Sequence, residues 1–176
     1  MQRCLQLARK GEGYTRPNPM VGAVVVYRER IIGEGYHKQF GGAHAEVNAI
    51  KAVNDRSLLA DSTLYVSLEP CSHHGKTTPC SELIIANRIP RVVVAIKDPN
   101  PAVSGRGIAM LRENGIEVIQ GVLENEAYEL NRAFFVNQQY HRPYVILKWA
   151  QSKDGYIDHS RSSLQEKKPA LIYNRL

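Results

Sequence analysis

Apolar residues recur along the first 140 positions at two spacings. Residues 21–27 are a continuous apolar run rich in β-branched side chains, the pattern of a buried strand. After the polar break Arg28-Glu29-Arg30, residues 31–37 resume as a second strand, and the pair reads as a hairpin. Residues 64–68, 92–97 and 116–119 are three further short strand patterns. Between them the period lengthens to that of a helix. Val47, Ile50 and Val53 mark one over 44–53. Pro79 suits the first turn of another, running to about residue 87, because its missing N–H costs nothing there. Residues 108–114 form a third, closed by Gly115, and 124–139 a last and longer one. An amphipathic helix over residues 2–10 opens the chain and stops at Gly11 and Gly13.

Helix, hairpin, then alternating helix and strand make an α/β fold, expected as a three-layer α/β/α sandwich. The strand–helix–strand units require parallel pairing through right-handed crossovers, whereas the hairpin must be antiparallel. The five-stranded sheet is therefore mixed. After Arg142-Pro143, residues 144–150 look like one more buried strand, and residues 151–176 are polar with no closing element. Residues 1–142 are expected to form one domain and 143–176 the start of a second that this chain does not complete. The alternative is a strand and tail belonging to the first domain.

Composition narrows the functional classes. Of 176 residues, 43% are hydrophobic and 23% charged, which is near the average for a globular protein and argues against disorder. No apolar run is long enough to span a bilayer, and the first residues contain no secretory h-region. Three cysteines, Cys4, Cys71 and Cys80, are too few for a disulfide framework and favour a cytoplasmic setting. The net charge of +6 is unevenly spread: residues 1–140 carry +2 and the last 36 carry +4. A nearly neutral body with no basic stripe argues against a nucleic-acid partner.

His44, Cys71 and Cys80 carry the strongest chemical signal. Imidazole and thiolate bind Zn²⁺ well, and three protein ligands leave open the position that a catalytic zinc needs. His44 and Glu46 project about 200° apart on a helix, so they can share a site only where first-turn side chains converge at its N-terminal end. Cys80 also lies in the first turn of its helix, where the dipole favours a thiolate. Glu46 is then the proton carrier: zinc lowers the pKa of a water to about 7, and a neighbouring carboxylate can move its proton to a leaving nitrogen. Zinc deaminases share the pattern H-x-E…P-C-x-x-C, with the glutamate outside the metal shell. Here His44-Ala45-Glu46 and Pro70-Cys71 fit it, but eight residues, not two, separate Cys71 from Cys80.

That long spacer, Ser72-His73-His74-Gly75-Lys76-Thr77-Thr78-Pro79, is joined by Arg16-Pro17-Asn18-Pro19-Met20-Val21-Gly22 upstream. Downstream follow Asp98-Pro99-Asn100-Pro101 and Gly105-Arg106-Gly107. Together they closely resemble the deaminase of the bifunctional deaminase–reductase of riboflavin biosynthesis (RibD type), over nearly all of residues 1–150. The resemblance implies a cytidine deaminase-like fold. It also implies Zn²⁺-dependent hydrolysis of 2,5-diamino-6-ribosylamino-4(3H)-pyrimidinone 5′-phosphate to 5-amino-6-ribosylaminouracil 5′-phosphate. Pro143-Tyr144-Val145-Ile146-Leu147-Lys148 and Ser152-Lys153-Asp154-Gly155 resemble the opening of that family's reductase domain. NADPH is expected only in a chain that completes it. Association into homo-oligomers is a tendency of the superfamily.

Residues around the metal set divide between substrate contact and simpler roles. The spacer adds His73, Lys76, Thr77 and Thr78, which offer the charge and donors that a phosphate needs. His73 or His74 could instead be a fourth ligand that closes the site; the family pattern turns His73 toward substrate and gives His74 no role. Lys76 is a phosphate or ribose contact or an exposed loop lysine. Thr77 stands with it. Asn18, stiffened between two prolines, is a plain turn residue or, by the resemblance, a ribose or base contact. Asp98 and Asn100 either form an Asx turn or face substrate as in the family. His37, at a strand end, could line the same pocket. Glu69 reads as a support to the metal set or a surface ion pair. The competing functions are deamination of tRNA or a free nucleobase, and a non-catalytic zinc module.

Overall fold

The five expected strands form: β1 (Gly22–Tyr27), β2 (Arg30–Tyr36), β3 (Thr63–Val66), β4 (Arg91–Val94) and β5 (Glu117–Gln120). In the computed structural model, which describes residues 1–73, 78–100 and 103–150, they make one sheet in the order β2-β1-β3-β4-β5. β1 is antiparallel to β2 and to β3, while β3, β4 and β5 run parallel. The mixed sheet is as expected. Arg28 and Glu29 turn the β1–β2 hairpin with φ of 45° and 63°, left-handed at both positions. That is the sense of a two-residue turn that follows the twist of its strands.

Strand alternation sorts the core into two layers. Ala23, Val25, Leu64, Val66, Val92, Val94 and Val118 face one way. They pack against helices α2 (Ala45–Lys51), α3 (Cys80–Ala86) and α4 (Arg106–Glu113) through Ala49, Ile50, Ile84, Ile108 and Leu111. On the other side, helix α1 (Gln2–Arg9) lays Cys4 and Leu7 against Val24. Leu5 joins Leu68, Ala95, Ile96, Ala127 and Phe135 in a second cluster. Ala127 and Phe135 belong to helices α5 (Glu124–Leu130) and α6 (Arg132–Tyr140), so the sheet is covered on both faces.

Three sequence expectations need correction. The single helix over 124–139 is two helices, because Asn131 leaves helical geometry (φ −114°, ψ 21°) and turns its buried side chain onto the backbone of Met20. The strand expected over 92–97 ends at Val94, although Ala95 still donates to the Val66 carbonyl and Ile96 still accepts from the Glu69 N–H before the chain reaches Asp98. Residues 145–150 form no strand: Val145, Ile146, Leu147 and Trp149 are exposed and have no ladder among the described residues. Apolar periodicity alone could not show that no neighbouring strand among the described residues is offered to them. The packed unit described above comprises Met1–Tyr144.

Candidate metal and active site

His44, Cys71 and Cys80 come together from three segments. His44 is the N-cap of α2, extended at φ −68° and ψ 163°, and Glu46 lies in that helix's first turn. Cys71 follows β3, and Cys80 opens α3 directly after Pro79. The Nδ1 of His44 is 3.5 Å from the Sγ of Cys71 and 3.3 Å from that of Cys80. All three donor atoms lie within 4.8 Å of one another. A tetrahedral zinc held by imidazole and thiolate sets N···S separations of about 3.5 Å, so the set fits that ion. No fourth His, Cys, Asp or Glu joins the group among the described residues, and His73 is exposed beside it.

The local hydrogen bonds favour a thiolate at Cys71. The backbone N–H of Cys80 donates to the Sγ of Cys71 at 3.3 Å. Ser81 holds the Cys71 carbonyl through its own N–H (3.1 Å) and hydroxyl (3.0 Å). The hydrogen bond from the Cys80 thiol, and then that from His44, pulls Cys71 down to about 4, while the same bond and burial push Cys80 up. His44 is raised to about 8 by its hydrogen bond to Cys71. Glu46 is 3% exposed, and burial, followed by the Cys71 charge, pushes its carboxyl up to about 7.

A cavity of about 400 Å³ opens onto this group. Asn18, His37, His73, Asp98 and Asn100 all line it, as the sequence suggested. His37 is 3% exposed and is held between two partners. Its Nδ1 lies 3.1 Å from the Ala43 carbonyl and its Nε2 3.2 Å from the Asn18 amide nitrogen. Nδ1 therefore carries the proton, and Nε2 accepts from Asn18. Burial lowers its pKa and favours this neutral form. Asp98 accepts the Asn100 N–H at 2.8 Å, so the Asx turn and the cavity wall are the same feature. Burial raises the Asp98 carboxyl. Lys76, Thr77 and His74 lie outside the described residues.

Sequence reasoning did not single out Phe134 and Gln138 on α6, which also line the cavity. The two α6 residues are four apart and so share a helix face. That spacing was available, but nothing in it told a pocket wall from an ordinary packing face. Glu69 is buried and hydrogen-bonded, not a surface ion pair.

Comparison with known proteins agrees with this geometry. The cytidine and deoxycytidylate deaminase zinc-binding region matches residues 1–96. The riboflavin biosynthesis protein RibD of Bacillus amyloliquefaciens is 54% identical over 155 residues, covering 88% of this chain and 41% of its own length. The chain thus spans less than half of that relative. The diaminohydroxyphosphoribosylamino-pyrimidine deaminase of Buchnera aphidicola is 44% identical over 135 residues, 77% of this chain and 90% of its own. The crystal structure of a Thermotoga maritima diaminohydroxyphosphoribosylaminopyrimidine deaminase/5-amino-6-(5-phosphoribosylamino)uracil reductase superposes with a TM-score of 0.87 at 47% identity, covering 98% of this chain and 50% of that one. Among the described residues of the present chain, no helix is long and apolar enough to cross a membrane. On its sequence and its fold alike, the chain belongs to the zinc-binding cytidine and deoxycytidylate deaminase family, within the RibD deaminases of riboflavin biosynthesis.

Proposed function

We propose that this chain releases ammonia from 2,5-diamino-6-ribosylamino-4(3H)-pyrimidinone 5′-phosphate, giving 5-amino-6-ribosylaminouracil 5′-phosphate. The observation that carries the reading is the three-donor set of His44, Cys71 and Cys80, with His44, Cys71 and the buried Glu46 lining a cavity. Three protein donors leave room for solvent, which a closed structural site does not. Zinc held by these residues would supply acidified water as the nucleophile. Glu46 would take a proton from the attacking water and deliver it to the exocyclic amino group on the attacked ring carbon, which departs as ammonia while the ring stays intact. Neutral His37 and Asn18 lie on one side of the cavity, and Asp98 and Asn100 line it as well. We assign all four to binding the ribosylated pyrimidine. Lys76 and Thr77, with His73, are assigned to the phosphate side.

The same reading makes residues 1–142 the deaminase domain and 143–176 the beginning of a reductase domain, where NADPH would bind only in a complete protein. It places the protein in the cytoplasm, in keeping with its three free cysteines. It gives the protein a small-molecule substrate and no nucleic-acid partner, in keeping with the near-neutral charge of residues 1–140. Self-association rests on the family resemblance and is checked by light scattering.

The test is ammonia release by the zinc-loaded chain from four substrates: the phosphoribosyl pyrimidine, cytidine, guanine and tRNA. Release from the first alone is expected. Release from tRNA or guanine, with none from the riboflavin precursor, would replace this reading with its competitor.

A further inference from the structure

Glu69 is 4% exposed and has no cation beside it among the described residues. Its carboxylate accepts four backbone N–H groups instead. Oε2 takes those of Asp98 (3.2 Å) and Gly105 (2.9 Å), and Oε1 those of Gly107 (3.0 Å) and Ile108 (3.3 Å). Its own N–H donates to the Ile96 carbonyl at 3.0 Å. A buried carboxylate survives only when its lone pairs are met in this way.

Three of the four donors stand at the start of α4, whose N-cap, Gly105, offers no side-chain cap. Position 105 holds φ +81°, where a serine or aspartate cap would be strained, so no local side-chain cap is available. Capping from β3's end instead fixes one segment against another. Glu69 lies two residues before Cys71, and Asp98 opens the turn that places Asp98 and Asn100 on the cavity wall. Gly107 presses on the same segment, since a Cβ there would fall 1.9 Å from the Pro70 carbonyl oxygen.

We propose that Glu69 is a positioning residue that ties the Asp98–Asn100 turn to the segment carrying Cys71. It thereby fixes the distance between the substrate-binding wall and the metal-type donors. Its kinetic consequence rests on the deaminase reading above; its structural consequence does not.

The experiment uses the zinc-loaded full chain with Glu69→Gln, which keeps the shape but turns a donor toward one pair of N–H groups. Zinc stoichiometry should stay at the wild-type value, kcat within about threefold, and KM should rise about tenfold or more. Amide exchange at Asp98, Gly105 and Gly107 should quicken about tenfold, with the Cys80 amide unchanged. With Asn100→Ala as background, Glu69→Gln should add little further to KM, because the wall it positions is already impaired. Should the Gln variant fail to fold, Glu69→Asp, which keeps the charge but shortens the reach, must show the same split. A lowered melting temperature with KM and exchange at wild-type values would overturn the proposal, as would additive KM effects. Wild-type protein that releases no ammonia would remove the functional reading, and amide exchange would still decide the clamp.

Discussion

The side chain of Asn131 closes both hydrogen bonds of the Met20 backbone. Its Nδ2 donates to the Met20 carbonyl at 2.8 Å, and its Oδ1 accepts the Met20 N–H at 2.8 Å. One buried amide therefore does two things. It interrupts what would be a single helix, separating α5 from α6, and it anchors the turn that aims Asn18 at His37. Replacing it leaves two backbone groups without partners. We expect Asn131→Ala to lower stability by about 2–4 kcal/mol, measured by urea unfolding of the zinc-loaded protein. KM should rise as Asn18 loses its seat. An unchanged unfolding midpoint would contradict this.

Gly35 decides how closely α2 sits on the sheet. A Cβ there would lie 2.3 Å from the Ala49 nitrogen and 2.5 Å from the Ala45 carbonyl oxygen, both backbone atoms that cannot step aside. Gly35→Ala must push the helix outward, and with it His44 and Glu46. The expected cost is about 1–3 kcal/mol in thermal or urea unfolding, with weaker zinc retention in chelator competition. Gly41→Ala is the control. Gly41 has φ +76° but open space around its Cβ position, so its cost of about 1 kcal/mol is backbone alone and zinc retention stays put.

The strand pattern was readable because β1 and β4 are short β-branched runs with buried residues on both faces, β3 alternates buried Leu64 and Val66 with half-buried Thr63 and Tyr65, and each is bounded by turn residues. The metal set was readable because His44-Ala45-Glu46 and Pro70-Cys71 are contiguous in sequence and chemically distinctive. What escaped was carried by single polar residues acting over long sequence separations. Asn131 reaches back 111 residues to break a helix whose apolar period runs on through it. Glu69 collects donors 29 to 39 residues away. Neither has a local pattern, because its partners are backbone groups with no residue identity. The strand expected over residues 144–150 failed for the converse reason: apolar composition proposes a strand, but only a neighbouring edge makes one.

Cys4 gives a pH test away from the site. Burial pushes its thiol up to about 12, with Sγ 3.5 Å from the Tyr65 carbonyl oxygen. In the unfolded chain a thiol titrates near about 8.5. Above that pH the unfolded state sheds the proton first, so this contribution is whole below about 8.5 and declines as pH rises toward 12. The decline approaches about 1.4 kcal/mol per pH unit. Urea unfolding between pH 8 and 11 should show a steeper loss for the wild-type protein than for Cys4→Ala. Parallel slopes would show that the thiol is not protected.

The proposed deamination requires His44, Cys71 and Cys80 to hold zinc while Glu46 moves the proton. It is tested most directly by metal content and ammonia release, measured together on wild-type and Glu46→Gln protein, each stripped with chelator and then given zinc. One zinc per chain should return to both, with ammonia release restored in the wild type and lower by about 10²–10⁴ in the variant. Ammonia release that persists in the stripped wild type, or full turnover by Glu46→Gln, would contradict it.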